Sequence, residues 1–564
     1  MATPPPSSPM TDSAPRVKKA SSLLRRTAFV LLTLLPLAAY RHWTVQDLPK
    51  QGLHYDVALV GVNSLGLYRG FTPNDRRDND LFVGPAPLMF NRYNGAVECY
   101  LGALPALFVF GATPYALNLA GVSWGFVFLL LCGLAGWVWF ENRWAAPVVL
   151  TLLGTLPSFA AFSRIGLYAG TVHGSLFAAA VLFFLIYWKN PGKNWAFPAA
   201  AVFMGLALGS RTLMVWYFAA LALTAAMNAP LRRRIAELPA PHKIFSAAAL
   251  CSGPLLVFLA NARHGWFTFG FFSKFSLHSR SGVDNLAYGA NLLERGREFL
   301  TLWNASAWTN INRPNRLAAA LLIAAVLLTI VDLISRKKNL PRPPAAGLWP
   351  LLVCLLVFAL SPFTPTFLDV HHLSALYCPA ALLLASPLFG PPAGPGKKYV
   401  RFLFAAGLLA YASVNVSLFR QFQPHRNVHG GTEVKWDVMT EVIAWLQKQG
   451  IHRLGLGDTG ISDPFVFLAG GGIQADEIFH AYYFEDAREK REGLLRQRLR
   501  QEKTGFYLFR EPEIERIPFH DRFLEIVASE GKRITPEARF PAPDGTPVFV
   551  VYRVEDKPPP RERV

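Results

Sequence analysis

The sequence predicts a polytopic α-helical membrane protein with a small α/β domain at its C-terminal end. Three observations carry this. Of 564 residues, 52% are hydrophobic and only 16% are charged, a balance too apolar for an ordinary soluble chain. Apolar runs of about 16 to 26 residues, bounded by charges, are long enough to span or nearly span a hydrocarbon core of about 30 Å. Near residue 427 this pattern stops, and helical and strand periodicities alternate instead. A closed barrel would show weak alternating segments, and these runs do not alternate.

Residues 1–22 are rich in Pro, Ser, Thr and Ala and lack periodicity, which predicts a disordered cytoplasmic tail. Arg16, Lys18, Lys19, Arg25 and Arg26 precede the first apolar stretch, 27–40. No small-x-small cleavage pattern follows it, so it reads as an uncleaved first span with a cytoplasmic N-terminus. Further spans are expected near 114–140, 145–162, 171–188, 195–208, 212–227, 244–260, 317–334, 348–360, 373–388 and 402–418. That makes about eleven.

Charge placement tests this count. An alternating path puts the links 141–144, 189–194, 231–243, 335–344 and 390–401 on the cytoplasmic side. They hold compact basic clusters such as Arg232-Arg233-Arg234 and Arg336-Lys337-Lys338, as the positive-inside rule requires. The opposite side receives the loops 51–113, 163–170, 261–316 and 361–372, and with an odd number of spans the C-terminus as well. The net charge of +19 is thus a matter of membrane orientation. No nucleic-acid motif accompanies it, and no nucleic-acid partner is expected. All five cysteines (Cys99, Cys132, Cys251, Cys354 and Cys378) sit in or beside apolar runs, against a disulfide framework or a cysteine metal site.

The expected organisation is a tail at 1–22, a transmembrane domain at 23–426 with a large first outer loop at 44–113, an extracytoplasmic α/β domain at 427–556, and a disordered tail at 557–564. In the α/β domain Thr432 is placed to cap a helix over 433–449, with Val434, Val438, Val442, Ile443 and Leu446 on one face and Gly450 as its stop. Strands are expected at 452–456, 506–509 and 547–552, with a charged helix at 485–503. Gly455-Leu456-Gly457-Asp458-Thr459-Gly460 matches a Gly-x-Gly-x-x-Gly pattern, but without an acidic partner it reads as a strand-to-helix turn.

The loop 51–111 concentrates the candidate chemistry. Asp56 lies at the outer end of the first span, where His54-Tyr55-Asp56-Val57-Ala58-Leu59-Val60 resembles the start of an amphipathic segment against the membrane. The apolar-aromatic run 95–110 lies in the same loop, and together they would line a groove for a lipid-linked head group. The loop acids Asp75, Asp78 and Asp80 read as a solvated turn. Glu98 is an acid in an apolar run, either snorkelling to the interface or acting as a second acid. Arg164 and Arg211 stand at span ends; each suits either an interfacial anchor or a bidentate grip on phosphate. The basic-aromatic loop with Arg263 and Arg280 reads either as an aromatic belt or as a cover over a phosphate. His371 and His372 open a late span and, being adjacent, point to different faces, which disfavours a two-histidine metal site.

Tyr55-Asp56, Gly66, Gly70-Phe71-Thr72-Pro73, then Tyr93-Asn94-Gly95 leading through Tyr100-Leu101-Gly102-Ala103-Leu104 to Phe110-Gly111, resemble the first extracytoplasmic loop of the GT-C glycosyltransferases. More narrowly, they are similar to the branch holding the protein O-mannosyltransferases and the bacterial aminoarabinose transferase. Ser163-Arg164-Ile165-Gly166-Leu167 resembles the second outer loop, Gly205 to Arg211 the end of a later span, and His371-His372 with Tyr377-Cys378-Pro379 the opening of a late helix. The resemblance covers about residues 27–418.

It implies transfer of a sugar from a polyprenyl-phosphate donor to an extracytoplasmic acceptor (protein, lipid or glycan), with inversion, in a bacterial plasma membrane. Asp56 would be the catalytic carboxylate. Arg164, Arg211, His371, His372, Arg263 and Arg280 would serve the donor phosphate, and Tyr55, Tyr93 and Tyr100 the groove. The expected partners are the polyprenyl-linked sugar, membrane lipid and the acceptor. Two departures stand out. Val57 occupies the place of the family's second acid, and the second outer loop, Leu167 to His173, has no carboxylate where some relatives hold a divalent metal. These departures leave dependence on a divalent metal open, and no other cofactor is implied. The competing class is a transporter or lipid flippase, which would show buried mid-span charges and repeated halves; the spans show few central charges and no evident repeat. A non-catalytic glycolipid-binding relative is the third reading.

Overall fold

A computed structural model describes residues 14–70, 81–90, 94–263, 288–305, 311, 313–336, 346–363, 370–390, 397–427, 436–457, 460–479, 485–511, 519–543 and 545–557. Each of the eleven expected span positions carries an apolar helix. Seven described helices are long and apolar enough to cross a membrane, and two bent pairs bring the number to nine. Ala196–Ser210 and Leu348–Leu360 are shorter apolar helices at the two remaining positions.

The bundle begins with α1 (Ala14–Val45), which starts inside the stretch expected to be a tail. The first loop contributes α2 (Tyr55–Arg69), a small antiparallel sheet of β1 (Leu81–Val83), β2 (Ala86–Phe90) and β3 (Asn94–Gly95), a π-helical turn at Cys99–Ala103, and α3 (Leu104–Phe110). α4 (Pro114–Phe140) follows, capped by the Thr113 hydroxyl, which accepts from the Ala116 N–H at 3.2 Å. The expected span 145–162 is two helices, α5 (Ala145–Gly154) and α6 (Pro157–Arg164), bent by 71°. Pro157, at the first turn of α6, has no N–H to continue α5 and favours a new helix start. A short α7 (Gly166–Ala169) leads into α8 (Thr171–Lys189), then α9 (Ala196–Ser210), α10 (Met214–Met227), α11 (Ala229–Ala236) and α12 (Ala240–Arg263). α13 (Tyr288–Trp303), α14 (Leu317–Arg336), α15 (Leu348–Leu360), α16 (Tyr377–Phe389) and α17 (Lys397–Asn427) complete the helical part.

Between apolar helices in lipid, burial from water supplies little attraction, so close van der Waals packing has to hold them. α9 and α12 meet through glycines. A Cβ at Gly205 would lie 1.9 Å from the Ala249 carbonyl oxygen, and one at Gly253 would lie 2.3 Å from the Gly209 nitrogen. Gly205 and Gly209 form the small-xxx-small spacing that lets two backbones touch. α4 uses Gly121 and Gly125 likewise against Ser163 and Gly166, and Tyr40 of α1 donates to the Val122 carbonyl at 3.0 Å.

The C-terminal part holds a five-stranded mixed sheet in the order β5-β4-β6-β8-β7. β4 (Arg453–Leu456) runs parallel to β5 (Gln474–Glu477) and β6 (Thr504–Arg510); β8 (Pro547–Asp556) runs antiparallel to β6 and β7 (Lys532–Pro541). The helices are α18 (Trp436–Lys448), α19 (Ser462–Ala469), α20 (Glu485–Gln501) and α21 (Phe519–Ser529). Val438, Val442, Ile443 and Leu446 of α18 are buried, as their spacing predicts, whereas Thr432 and Val434 lie outside the described residues. The glycine motif joins β4 to α19, with Asp458 and Thr459 outside the described residues.

α2 departs most from expectation. Its described side chains are almost all buried up to Leu65, and it does not present one apolar face to a membrane. A Cβ at Gly61 would come within 2.6 Å of Leu117 on α4 and 2.8 Å of Phe467 on α19. Arg69, at its last turn, donates to the Gly470 carbonyl at 2.7 Å. The helix that carries Asp56 is thus sandwiched between the bundle and the C-terminal domain, which accounts for its burial on both sides.

Candidate functional site

Asp56 is set by the start of α2. His54 is the N-cap, with extended backbone (φ −65°, ψ 140°), and its Nδ1 accepts from the Asp56 N–H at 3.3 Å. The Asp56 carboxylate lies in the first helical turn, where the dipole favours negative charge. Its Oδ2 is 3.8 Å from His54 Nδ1, and the residue is only 7% exposed.

A second carboxyl lies close by in the fold. Glu98 precedes the π-helical turn, and the neighbouring Cys99 donates its thiol to the Val60 carbonyl at 3.6 Å, one turn along α2 from Asp56. Glu98 is 3% exposed. Ser210, at the end of α9, donates its hydroxyl to Glu98 Oε1, and His173 of α8 places Nδ1 3.8 Å from the same oxygen. Among the described residues Glu98 Oε2 is buried with no hydrogen-bond partner, and His173 Nδ1 has none besides its longer approach to Glu98. Buried polar atoms usually find partners, so such openings point to a ligand, a water or a catalytic role. Arg211, next to Ser210, is buried and within electrostatic reach of His173. Its backbone bridges to Asn94 of β3, and a Cβ at Gly95 would lie 1.5 Å from the Gly209 carbonyl oxygen. The first loop is thereby fastened onto the end of α9, which brings Glu98 to Ser210 and Arg211.

Arg164, the last residue of α6, is 3% exposed. Its Nε donates to Gln51 Oε1 at 2.7 Å, and Gln51 Nε2 donates back to the Arg164 carbonyl at 3.0 Å. Asn118 of α4 donates to the Gly52 carbonyl at 3.1 Å. Together these hold the chain just before Asp56.

The remaining candidates are dispersed. His372 lies in a 3-10 turn, Val370–Leu376, where its carbonyl accepts from the Tyr217 hydroxyl at 3.0 Å. The same turn brings Ser374 against Gly170, beside His173. The His371 and Tyr55 side chains, and the whole of Tyr93 and Arg280, lie outside the described residues. Arg263 ends α12 and is exposed. Tyr100 is 37% exposed, and its hydroxyl donates to the Pro87 carbonyl at 2.7 Å. Among the described residues no three His, Cys, Asp or Glu side chains are gathered to hold a metal; the Asp75–Asp80 acids lie outside them.

His173, Ser210 and Gln51 were not singled out from sequence. The available signal for His173 was an ionisable residue just inside an apolar span. Gln51 and Ser210 carry none, because their importance arises only from partners more than a hundred residues away.

The geometry combines two buried carboxyls, a histidine and buried guanidinium groups at one end of a helical bundle, with a small domain packed over the helix that carries Asp56. The sequence matches no family model and no curated protein. Solved structures match the fold. The structure of ArnT from Cupriavidus metallidurans bound to undecaprenyl phosphate superposes with a TM-score of 0.62 at 12% identity, covering 93% of this chain and 97% of that one. ArnT from Cupriavidus metallidurans in the apo state gives 0.58 at 12% identity, covering 94% and 98%. The likeness is one of fold: the chain has the GT-C fold.

Proposed function

We propose that this protein transfers a sugar from a polyprenyl-phosphate-linked donor to an extracytoplasmic acceptor at the Asp56 end of the bundle. The observation that carries this reading is that two carboxyls, Asp56 and Glu98, are buried on adjoining elements of a GT-C fold, where the residue after Glu98 bonds to α2. A structural neighbour of nearly the same extent was solved with undecaprenyl phosphate bound, which favours a polyprenyl carrier here as well.

In this reaction the acceptor oxygen attacks the anomeric carbon from the face opposite the phosphate. Its proton passes to the Asp56 carboxylate, the new glycosidic bond forms, and the bond from the anomeric carbon to the phosphate oxygen breaks, with inversion. The electron pair leaves on the polyprenyl phosphate. A positioned base of this kind contributes about 10²–10⁴-fold. Glu98 is the second acid, its open Oε2 accepting from a donor hydroxyl or amine. Arg211, Arg164 and His372, with His371, Arg263 and Arg280, are the cations proposed for the departing phosphate. Tyr55, Tyr93 and Tyr100 are proposed to line the groove.

The test is incubation of the full chain in proteoliposomes with polyprenyl-phosphate sugars labelled in the sugar. Release of polyprenyl phosphate together with label on an acceptor supports the proposal. Movement of the labelled lipid between leaflets without release would assign the protein to lipid translocation instead.

A further inference from the structure

The end of the bundle remote from Glu98 holds a cavity that the transfer reaction does not use. α8, α9, α10, α11 and α12 surround about 460 Å³, within the range of about 300–1,000 Å³ usual for ligand sites. Its wall includes Phe184, Phe197, Met204, Phe218 and Leu221, and one charge enters it, Arg232. The chain path fixes its place. α8 starts at the Glu98 end and runs away from it, α9 returns, and α10 leaves again, so that Arg232 follows the distal end of α10.

The local sequence builds this arrangement. Asn228 caps α11 by accepting from the Leu231 N–H at 3.0 Å, and α11 turns by 100° from α10. Leu231 is buried beneath it. Residues 232, 235 and 236 share one face and line the apolar cavity, whereas Arg233, Arg234 and Glu237 line a separate polar cleft. Arg234 is committed to the protein. Its guanidinium lies 4.1 Å from the centre of the Tyr187 ring and donates to the Trp188 carbonyl at 3.2 Å and the Asn190 carbonyl at 2.7 Å. The Arg232 side chain is exposed and, among the described residues, makes no hydrogen bond or ion pair.

An occupant complementary to this cavity is apolar along its length and anionic where it meets Arg232. Within a bilayer, phospholipids meet that description, and basic residues between or beside spans favour anionic head groups. We propose that the cavity holds an acyl chain of an anionic phospholipid whose phosphate pairs with Arg232, in the leaflet opposite the Asp56 site.

Native mass spectrometry of the full chain titrated with phosphatidylglycerol or phosphatidylcholine tests this. Wild type is expected to prefer phosphatidylglycerol by about fivefold, the effect of one basic residue near the surface. Arg232→Gln should abolish the preference and Arg233→Gln should retain it. Ala222→Trp, filling the cavity rim, should weaken binding of both lipids. The proposal is overturned by equal binding of the two lipids to wild type, by an undiminished preference in Arg232→Gln, by equal loss in Arg233→Gln, or by unchanged binding in Ala222→Trp. Melting temperatures of each variant identify any that fail to fold, and Arg232→Lys, which keeps the charge, then serves as the second variant: it should keep part of the preference, and its loss alongside intact folding counts against the pairing. None of these residues belongs to the proposed transfer site, so the outcome is independent of that reading.

Discussion

Gln51 and Arg164 hold each other by two hydrogen bonds, one from the guanidinium to the amide oxygen at 2.7 Å and one from the amide to the Arg164 carbonyl at 3.0 Å. The pair ties the end of α6 to the segment entering α2, five residues before Asp56. Gln51→Ala removes both bonds and leaves buried polar groups without partners, which costs about 1–3 kcal/mol for such a group. A lowered melting temperature of the purified protein is expected. An unaltered melting curve would show that the clip contributes nothing to the fold.

Glu98→Gln keeps the shape of the side chain and removes its charge. Loss of a charged acceptor for the donor should lower turnover by about 10-fold or more, the worth of a hydrogen bond to a charged group, with the melting temperature little changed. Ser210→Ala should act differently. It strands Oε1 of a buried carboxyl, and a destabilisation of about 1–3 kcal/mol is expected. Equal turnover in Glu98→Gln and wild type would remove Glu98 from the chemistry.

The helix contacts make a prediction independent of activity. Gly253→Val sets a Cβ against the Gly209 backbone nitrogen, 2.3 Å away, where no flexible side chain can yield. Overpacking of this kind costs about 1–3 kcal/mol or more. Reduced yield of folded protein is expected for Gly253→Val, whereas Gly192→Ala, in open space, should be neutral. A Gly253→Val protein as stable as wild type would mean that α9 and α12 do not touch as described.

Acid should weaken the C-terminal domain around Glu530. Hydrogen bonds from Arg500 and Arg496, and their charges, lower its pKa from the ordinary 4.5 to about 2. A carboxyl whose folded pKa is depressed stabilises the fold above its unfolded value and loses that contribution as pH falls toward the folded value. Hydrogen exchange in the segment 485–530 of the full chain should therefore quicken as pH drops from about 4.5 toward 2, after correction for intrinsic rates. Glu530→Gln should flatten that dependence; an identical pH profile in the variant would contradict it.

Much of this architecture was legible because hydrocarbon thickness dictates the length of a span. Helices such as Pro114–Phe140 and Thr171–Lys189 announce themselves by unbroken apolar length. The amphipathic spacing of α18 and the apolar runs of β4, β6 and β8 were readable for the same local reasons. β7 was not, because its charged sequence with Pro536 looks like a loop and it gains its strand from pairing with β8. The bend at Pro157 was hidden inside an apolar run long enough for one span. Asp56 and Glu98 were both visible as acids in apolar surroundings. The setting of Glu98 was not, since it depends on Ser210 and His173, far along the chain.

The most direct measurement is sugar transfer by Asp56→Asn in proteoliposomes supplied with a polyprenyl-phosphate sugar that wild type uses. Asparagine preserves the size of the side chain but cannot take the acceptor proton. Transfer should fall by about 10²-fold or more, with membrane insertion and melting temperature retained. Wild-type turnover in that variant would contradict a catalytic Asp56.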